Sequence, residues 1–274
     1  MIKSKISITI FTLLITVSAY SFEGYEKYPM RGSTIFPLKE VNVKLTEIKV
    51  LMYREEKGIM GGITKTTAEH VVENITDKEA NFKVAFPIES SCINNCTELP
   101  QDFKVSVNGK FVQSVLTKIP RQEYEKRIRE KIGSNNIKRE RLNEDREKKA
   151  RNYQLPLIVW DISLKPGEKK TISCSYSLEW EFSPATNSAT DQFIYNLLPA
   201  ILWKGKIEKA NFKLILPRRL IDYIKSRAAE IDVYPEQYYK KTDNVIEWFF
   251  LNLDFRNKKL RDISVFITYL GAGE

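Results

Sequence analysis

Chemistry on a protein needs a base, a nucleophile or a metal-binding set, and in this chain such residues are few. His70 is the single imidazole, and the cysteines are Cys92, Cys96 and Cys174. One histidine excludes a His-rich metal site and makes any Ser-His-Asp arrangement depend on that residue. It stands between Glu69 and Val71 in a strand-like run, which predicts a surface or edge position rather than a catalytic one. A tetrahedral zinc site would consume every cysteine plus His70. Of the three pairings open to the cysteines, a disulfide between Cys92 and Cys96, across the short loop 93–95 and between Pro87 and Pro100, is favoured. Cys174 falls on an apolar strand face with Ile172 and Tyr176, where a buried inert thiol is expected. Glu179 and Glu181 flank Trp180 and would share one side of a strand, the kind of carboxylate pair that a hydrolase on a β scaffold could use. The same alternation describes two solvated charges opposite Trp180 and Phe182, which is the simpler expectation. No Gly-rich phosphate loop, acidic metal-binding run or nucleophile elbow occurs. The sequence therefore points to no catalytic residue, no cofactor and no metal.

Charge is the more informative property. The chain carries a formal +9, and the excess is concentrated: residues 121–151 hold 12 Lys/Arg against 7 Asp/Glu. Within that stretch Lys138, Arg139, Arg141, Arg146, Lys148 and Lys149 are candidate anion-binding residues. The bland alternative is a solvated helical excursion held together by its own ion pairs.

The first residues set the compartment in which such a patch would act. Lys3 and Lys5 precede an apolar run from Ile6 to Val17, followed by Ala19-Tyr20-Ser21. This is the pattern of a secretory signal peptide over residues 1–21, cleaved before Phe22. The run is too short for a bilayer span, which needs roughly 20 residues, and no later stretch is long and apolar enough to be one. An exported, periplasmic or cell-surface protein is expected. Outside the cytoplasm, the partners of a basic patch would be an anionic envelope component, a sulfated glycan or another envelope protein; export argues against nucleic acid.

The elements that position these residues are strands. After a polar leader over residues 22–38, Val41 to Tyr53 alternates with a change of phase near Thr46 that predicts a bulge. Strands are expected over 64–72 and 80–88, with a turn at Asn74-Ile75-Thr76-Asp77 between them. Asn108-Gly109 between alternating runs predicts a type I′ hairpin. Residues 121–151 then have helical composition, divided by Gly133-Ser134-Asn135-Asn136 into two helices. Tyr124, Ile128 and Ile132 give the first a narrow apolar stripe. Pairs such as Glu123 with Arg127 and Glu125 with Arg129 have favourable spacing.

Further on, Trp160, Ile162 and Leu164 alternate up to Pro166-Gly167, and Ile172, Cys174, Tyr176 and Leu178 resume the alternation. This predicts an antiparallel hairpin closed by a type II turn. Short strands are expected over 192–198 and 201–206 about Pro199, then a strand over 210–216. A helix follows near 217–229, opened by Pro217, and strands over 244–255 and 262–270 close the chain.

The step Val84-Ala85-Phe86-Pro87-Ile88 after the turn at Asn74–Asp77, the helical insert, and Trp160 leading through Pro-Gly to Cys174-Ser175-Tyr176 together resemble a family of secreted bacterial proteins known only as a domain of unknown function. Cys174 stands where that family has His, and the later segment corresponds to Tyr195 through Trp203-Lys204-Gly205. The resemblance spans most of the chain after the signal. It implies an exported β-sandwich and brings no catalytic residues.

The resulting expectation is a mainly β protein of two Ig-like, antiparallel β-sandwich subdomains. They would cover residues 22–182, with the charged helical hairpin 121–151 inserted, and residues 183–274. The expected function is a non-enzymatic envelope or cell-surface protein that binds an anionic or protein partner or acts as a scaffold. A carboxylate-based hydrolase is the alternative.

Overall fold

A computed structural model of the chain describes residues 30–55, 62–90, 102–132, 154–179, 181–185, 188–254, 260 and 262–270. The first strands are β1 (Met30–Ser33), β2 (Phe36–Pro37), β3 (Val43–Glu55), β4 (Ile63–Asn74), β5 (Ala80–Pro87) and β6 (Glu89–Ser90). They are followed by β7 (Lys104–Val107), β8 (Lys110–Phe111), β9 (Val115–Pro120) and helix α1 (Arg121–Ile132). Then come β10 (Gln154–Leu164), β11 (Lys169–Glu179), β12 (Glu181–Ala185) and β13 (Ser188–Asn196). Last are β14 (Ile207–Ile215), helix α2 (Arg218–Lys225), β15 (Ala229–Tyr234), β16 (Tyr239–Thr242), β17 (Val245–Leu253) and β18 (Asp262–Leu270).

These strands make three sheets. The largest has the order β16-β17-β14-β3-β4-β11-β7-β8, the second β2-β5-β10-β9, and the third β15-β18-β13-β1-β6 with β12 also on β13. The eight-stranded sheet is one layer, and the two smaller sheets cover its inner face. Phe86 of β5 meets Tyr176 of β11 at 4.9 Å between rings, and Tyr195 of β13 meets Phe212 of β14 at 5.5 Å. β14 runs parallel to β3, with Lys213 opposite Leu51, so the large sheet draws strands from both sides of residue 182. The architecture is a mainly β sandwich, as the alternating strands imply.

Local readings hold in detail at several points. The register of β3 on β4 shifts between Leu45 and Glu47, where the phase of the sequence changes, and the Thr46 hydroxyl donates to the carbonyl of Val71 at 3.1 Å. Asn108 and Gly109 both take positive φ, 49° and 75°, between the paired β7 and β8. β18 spans the expected residues 262–270, and α1 buries Tyr124 and Ile128.

The Trp160 region differs from expectation in an instructive way. Gly167 has φ +67° and Glu168 N–H donates to Lys165 O at 3.1 Å, as a Pro-Gly turn requires. Yet β10 pairs with β5 and β9 while β11 pairs with β4 and β7. The turn is thus an arch carrying the chain from one sheet to the facing one, not a hairpin. The reason is in β10 itself: Leu155 through Trp160 are all buried, which suits a central strand covered on both faces rather than one arm of a half-exposed hairpin. Asn74, fully buried, closes the arch. Its side-chain amide donates to the carbonyls of Lys78 (2.7 Å), Leu164 (3.1 Å) and Lys165 (3.0 Å).

Two further expectations are corrected. The segment whose composition reads as a polar leader contributes Ser33, Thr34, Ile35 and Phe36 to the interior, all with 0% exposure. Its short polar residues are used for sheet contacts, as Thr34 N–H donates to Asn196 O at 3.0 Å. In place of a strand from 201 to 206, Leu198–Leu202 forms a 3-10 turn that buries Pro199, Ala200, Ile201 and Leu202. α2 ends at Lys225, and residues from Ala229 form β15.

Candidate functional site

The chemistry-bearing residues divide between a sealed interior and one charged surface. Inside, the buried phase of β4 reads Thr64, Thr66, Ala68, His70, Val72 and Asn74, a polar row in the middle of the large sheet. His70 lies there with 0% exposure, between Ile48 of β3 and Ile172 of β11. This corrects the expected surface or edge position: His70 shares the inward phase of Ala68 and Val72, and Ile48 and Ile172 enclose it from the adjacent strands. Burial pushes its pKa down to about 4 against a smaller upward pull from the Ile172 backbone. Neither ring nitrogen has a well-formed hydrogen bond. The ring is therefore neutral at physiological pH and out of reach of a substrate.

Cys174 is free and buried, and desolvation raises its thiol pKa. It is the inert core thiol that its strand phase predicts. Glu179 is exposed at the end of β11 in the eight-stranded sheet, whereas Glu181 begins β12, which pairs with β13 in the six-stranded sheet. The two positions expected on one strand thus belong to strands of different sheets.

One buried polar cluster lies beyond what the sequence reading predicts. Arg54 Nη2 donates to Asp191 Oδ2 at 2.5 Å and to the Tyr269 hydroxyl at 3.2 Å, and that hydroxyl donates to Asp191 Oδ2 at 2.9 Å. The two charged side chains are 3% and 0% exposed. The cluster ties β3 of the large sheet to β13 and β18 of the six-stranded sheet. Gly62 packs on it so closely that a Cβ there would lie 2.7 Å from Arg54 Nε. A signal for it does exist: Arg54 follows Ile48, Val50 and Met52 in the buried phase of β3, and Asp191 precedes Phe193 and Tyr195 in that of β13.

On the surface, α1 roots the basic stretch. Tyr124 stacks at a tilt on Phe36 (5.2 Å), and the Arg127 guanidinium donates to the carbonyls of Leu38 (2.8 Å) and Pro37 (2.9 Å). Arg127, expected to pair with Glu123, is thus used to dock the helix. Burial lowers its pKa, opposed by the charges of Glu123, Tyr124, Glu40 and Glu130. Glu125 bonds Arg121 at 2.7 Å and lies 4.0 Å from Arg129, the latter pair as its spacing predicts. At the other end Lys131 (2.6 Å) and Lys204 (3.3 Å) converge on Glu40 and hold its carboxyl below the usual range. Lys138, Arg139, Arg141, Arg146, Lys148 and Lys149, and likewise Cys92 and Cys96, lie outside the described residues. Among the described residues, no group of three or more His, Cys, Asp or Glu side chains is arranged to hold a metal ion, and no helix is long and apolar enough to cross a membrane.

The fold has a solved counterpart. A Legionella pneumophila protein, provisionally described as a nutrient binding protein, is similar over 88% of this chain and 71% of its own, with 17% identity and a TM-score of 0.60. An M1 zinc metallopeptidase from Deinococcus radiodurans overlaps 85% of this chain and 43% of its own, with 7% identity and a TM-score of only 0.31. No family model and no curated protein matches the chain. What is shared with the Legionella protein is the fold.

Proposed function

We propose that this chain is an exported, non-enzymatic binding or scaffold protein that engages an anionic partner of the cell envelope through its basic stretch 121–151. The observation that carries this reading is the docking of α1. Burial of Tyr124 and Ile128, each worth about 1.5–3 kcal/mol, and the two carbonyl contacts of Arg127 fix the helix to the sandwich. The basic stretch therefore begins on a helix that is fixed to the sandwich. α1 itself carries Arg121, Lys126, Arg129 and Lys131, each paired with a carboxylate, so the excess charge that would attract a polyanion is that of the whole stretch 121–151. The fold shared with a protein provisionally described as nutrient binding supports a binding role. The separation of Glu179 from Glu181 onto strands of different sheets supports binding over a carboxylate hydrolase.

The test is retention of the chain from residue 22 on immobilised heparin and on anionic vesicles at rising salt. Neutralising Arg139, Arg141, Lys148 and Lys149 together is expected to abolish the salt-sensitive component. Unchanged retention of that variant would refute the role of the stretch.

A further inference from the structure

Three exposed large apolar residues among the described ones fall within six positions of sequence just before the basic helix: Phe111 (79% exposed), Val115 (54%) and Leu116 (44%). Their placement follows from the topology. β8 is the edge of the eight-stranded sheet and β9 the edge of the four-stranded sheet, so the stretch joining them runs along one side of the sandwich, where no strand among the described residues covers either edge. The segment is nonetheless held in shape. Asn108 N–H donates to Thr171 O at 2.8 Å, Thr171 N–H to Asn108 Oδ1 at 2.9 Å, and Val112 N–H to Val105 O at 3.1 Å.

The charges within this segment are of one sign. From residue 103 to residue 122 the chain carries Lys104, Lys110, Lys118 and Arg121 and no Asp or Glu. Lys104, Lys110 and Lys118 are exposed, and Asp102, just before the segment, is hydrogen-bonded to Ser177 at 3.3 Å. A soluble polyanion would be satisfied by the lysines alone and would leave Phe111, Val115 and Leu116 in water. A lipid surface would take both, with the lysines at anionic headgroups and the apolar side chains at the acyl boundary.

From this combination we propose that the side of the sandwich formed by residues 104–121 is a docking surface for an anionic lipid bilayer, which Phe111, Val115 and Leu116 enter and Lys104, Lys110 and Lys118 hold. The proposal rests on the anionic-partner reading and gives that partner a chemical class. Because Phe111 is largely in solvent and Val115 and Leu116 are about half exposed, they can be replaced with modest cost to the fold.

Two variants of the chain from residue 22 test it, F111W and the triple F111S/V115S/L116S. Both are mixed with vesicles of neutral lipid alone or with about one third anionic lipid, and in parallel with heparin. The emission that F111W adds to that of the parent chain is expected to shift to the blue and to be quenched by brominated acyl chains, on anionic vesicles only. The triple variant is expected to lose about ten-fold or more in vesicle partitioning while its heparin retention stays unchanged. Vesicle binding without shift or quenching overturns the lipid assignment and leaves the polyanion reading intact. Equal losses on vesicles and heparin in the triple variant also overturn it, and failure of the unaltered chain to bind either probe overturns both readings.

Discussion

Replacing Asp191 by Ala should be among the most costly single changes in this protein. Its carboxylate is fully buried, accepts from Arg54 at 2.5 Å and from Tyr269 at 2.9 Å, and faces a guanidinium that is itself 3% exposed. Removing one partner of a buried ion pair costs about 3–5 kcal/mol. At roughly 2–4 °C per kcal/mol for a chain of this size, the melting temperature should fall by roughly 6–20 °C. Tyr269→Phe removes only a hydroxyl bonded to charged groups and should cost about 1.5–3 kcal/mol. The double variant R54M/D191L removes both charges and should recover most of the loss, because apolar replacements of a buried pair are often neutral or better. Urea unfolding followed by circular dichroism gives the free energies of the parent and the three variants, and thermal unfolding gives the shift in melting temperature. An Asp191→Ala protein within about 1 kcal/mol of the parent, or a double variant no better than the single one, would show that the two sheets are not tied through this cluster.

Two further predictions concern the interior. His70 has its pKa lowered from 6.5 to about 4 by burial, so above pH 6.5 folded and unfolded chains are both neutral there. As pH falls from 6.5 towards 4 the unfolded chain takes up a proton that the folded one refuses, and stability drops by about 3 kcal/mol. His70→Val should flatten that part of the stability profile, and an unaltered slope would contradict the assigned burial. Asn74→Ala removes three hydrogen bonds, two to the arch at Leu164 and Lys165 and one to Lys78, at about 1 kcal/mol each. It should lower stability by about 3 kcal/mol and speed amide exchange at Gly167, whose N–H donates to Asn74 O at 3.1 Å; unchanged exchange there would contradict the closing role.

Local patterning carried much of the fold because it reports strand phase. The bulge at Leu45/Glu47, the turn at Asn108-Gly109 and the stripe of α1 all depend on residues close in sequence. Pairing partners do not. Alternation on both sides of Pro166-Gly167 describes a hairpin and an arch equally well, and only the uninterrupted apolar run Leu155–Trp160 distinguishes them. The same limit hid the site residues. His70 shares its phase on β4 with Thr64 and Thr66 as well as with Ala68 and Val72, and the Ile48 and Ile172 side chains that enclose it come from adjacent strands. Arg54 and Asp191 stand 137 residues apart, and each looks like an isolated charge in an apolar phase until the sheets bring them together. Ile35 and Phe36 are obscured by short polar neighbours that satisfy buried backbone groups.

Whether the basic stretch rooted by α1 recognises an anionic surface is decided most directly by comparing the chain from residue 22 with the form in which Arg139, Arg141, Lys148 and Lys149 are neutral. Both are titrated with anionic vesicles at low and high salt. Binding by the parent is expected to weaken steeply with salt and to be absent in the variant; equal binding by the two proteins, or binding insensitive to salt, would refute recognition through this stretch.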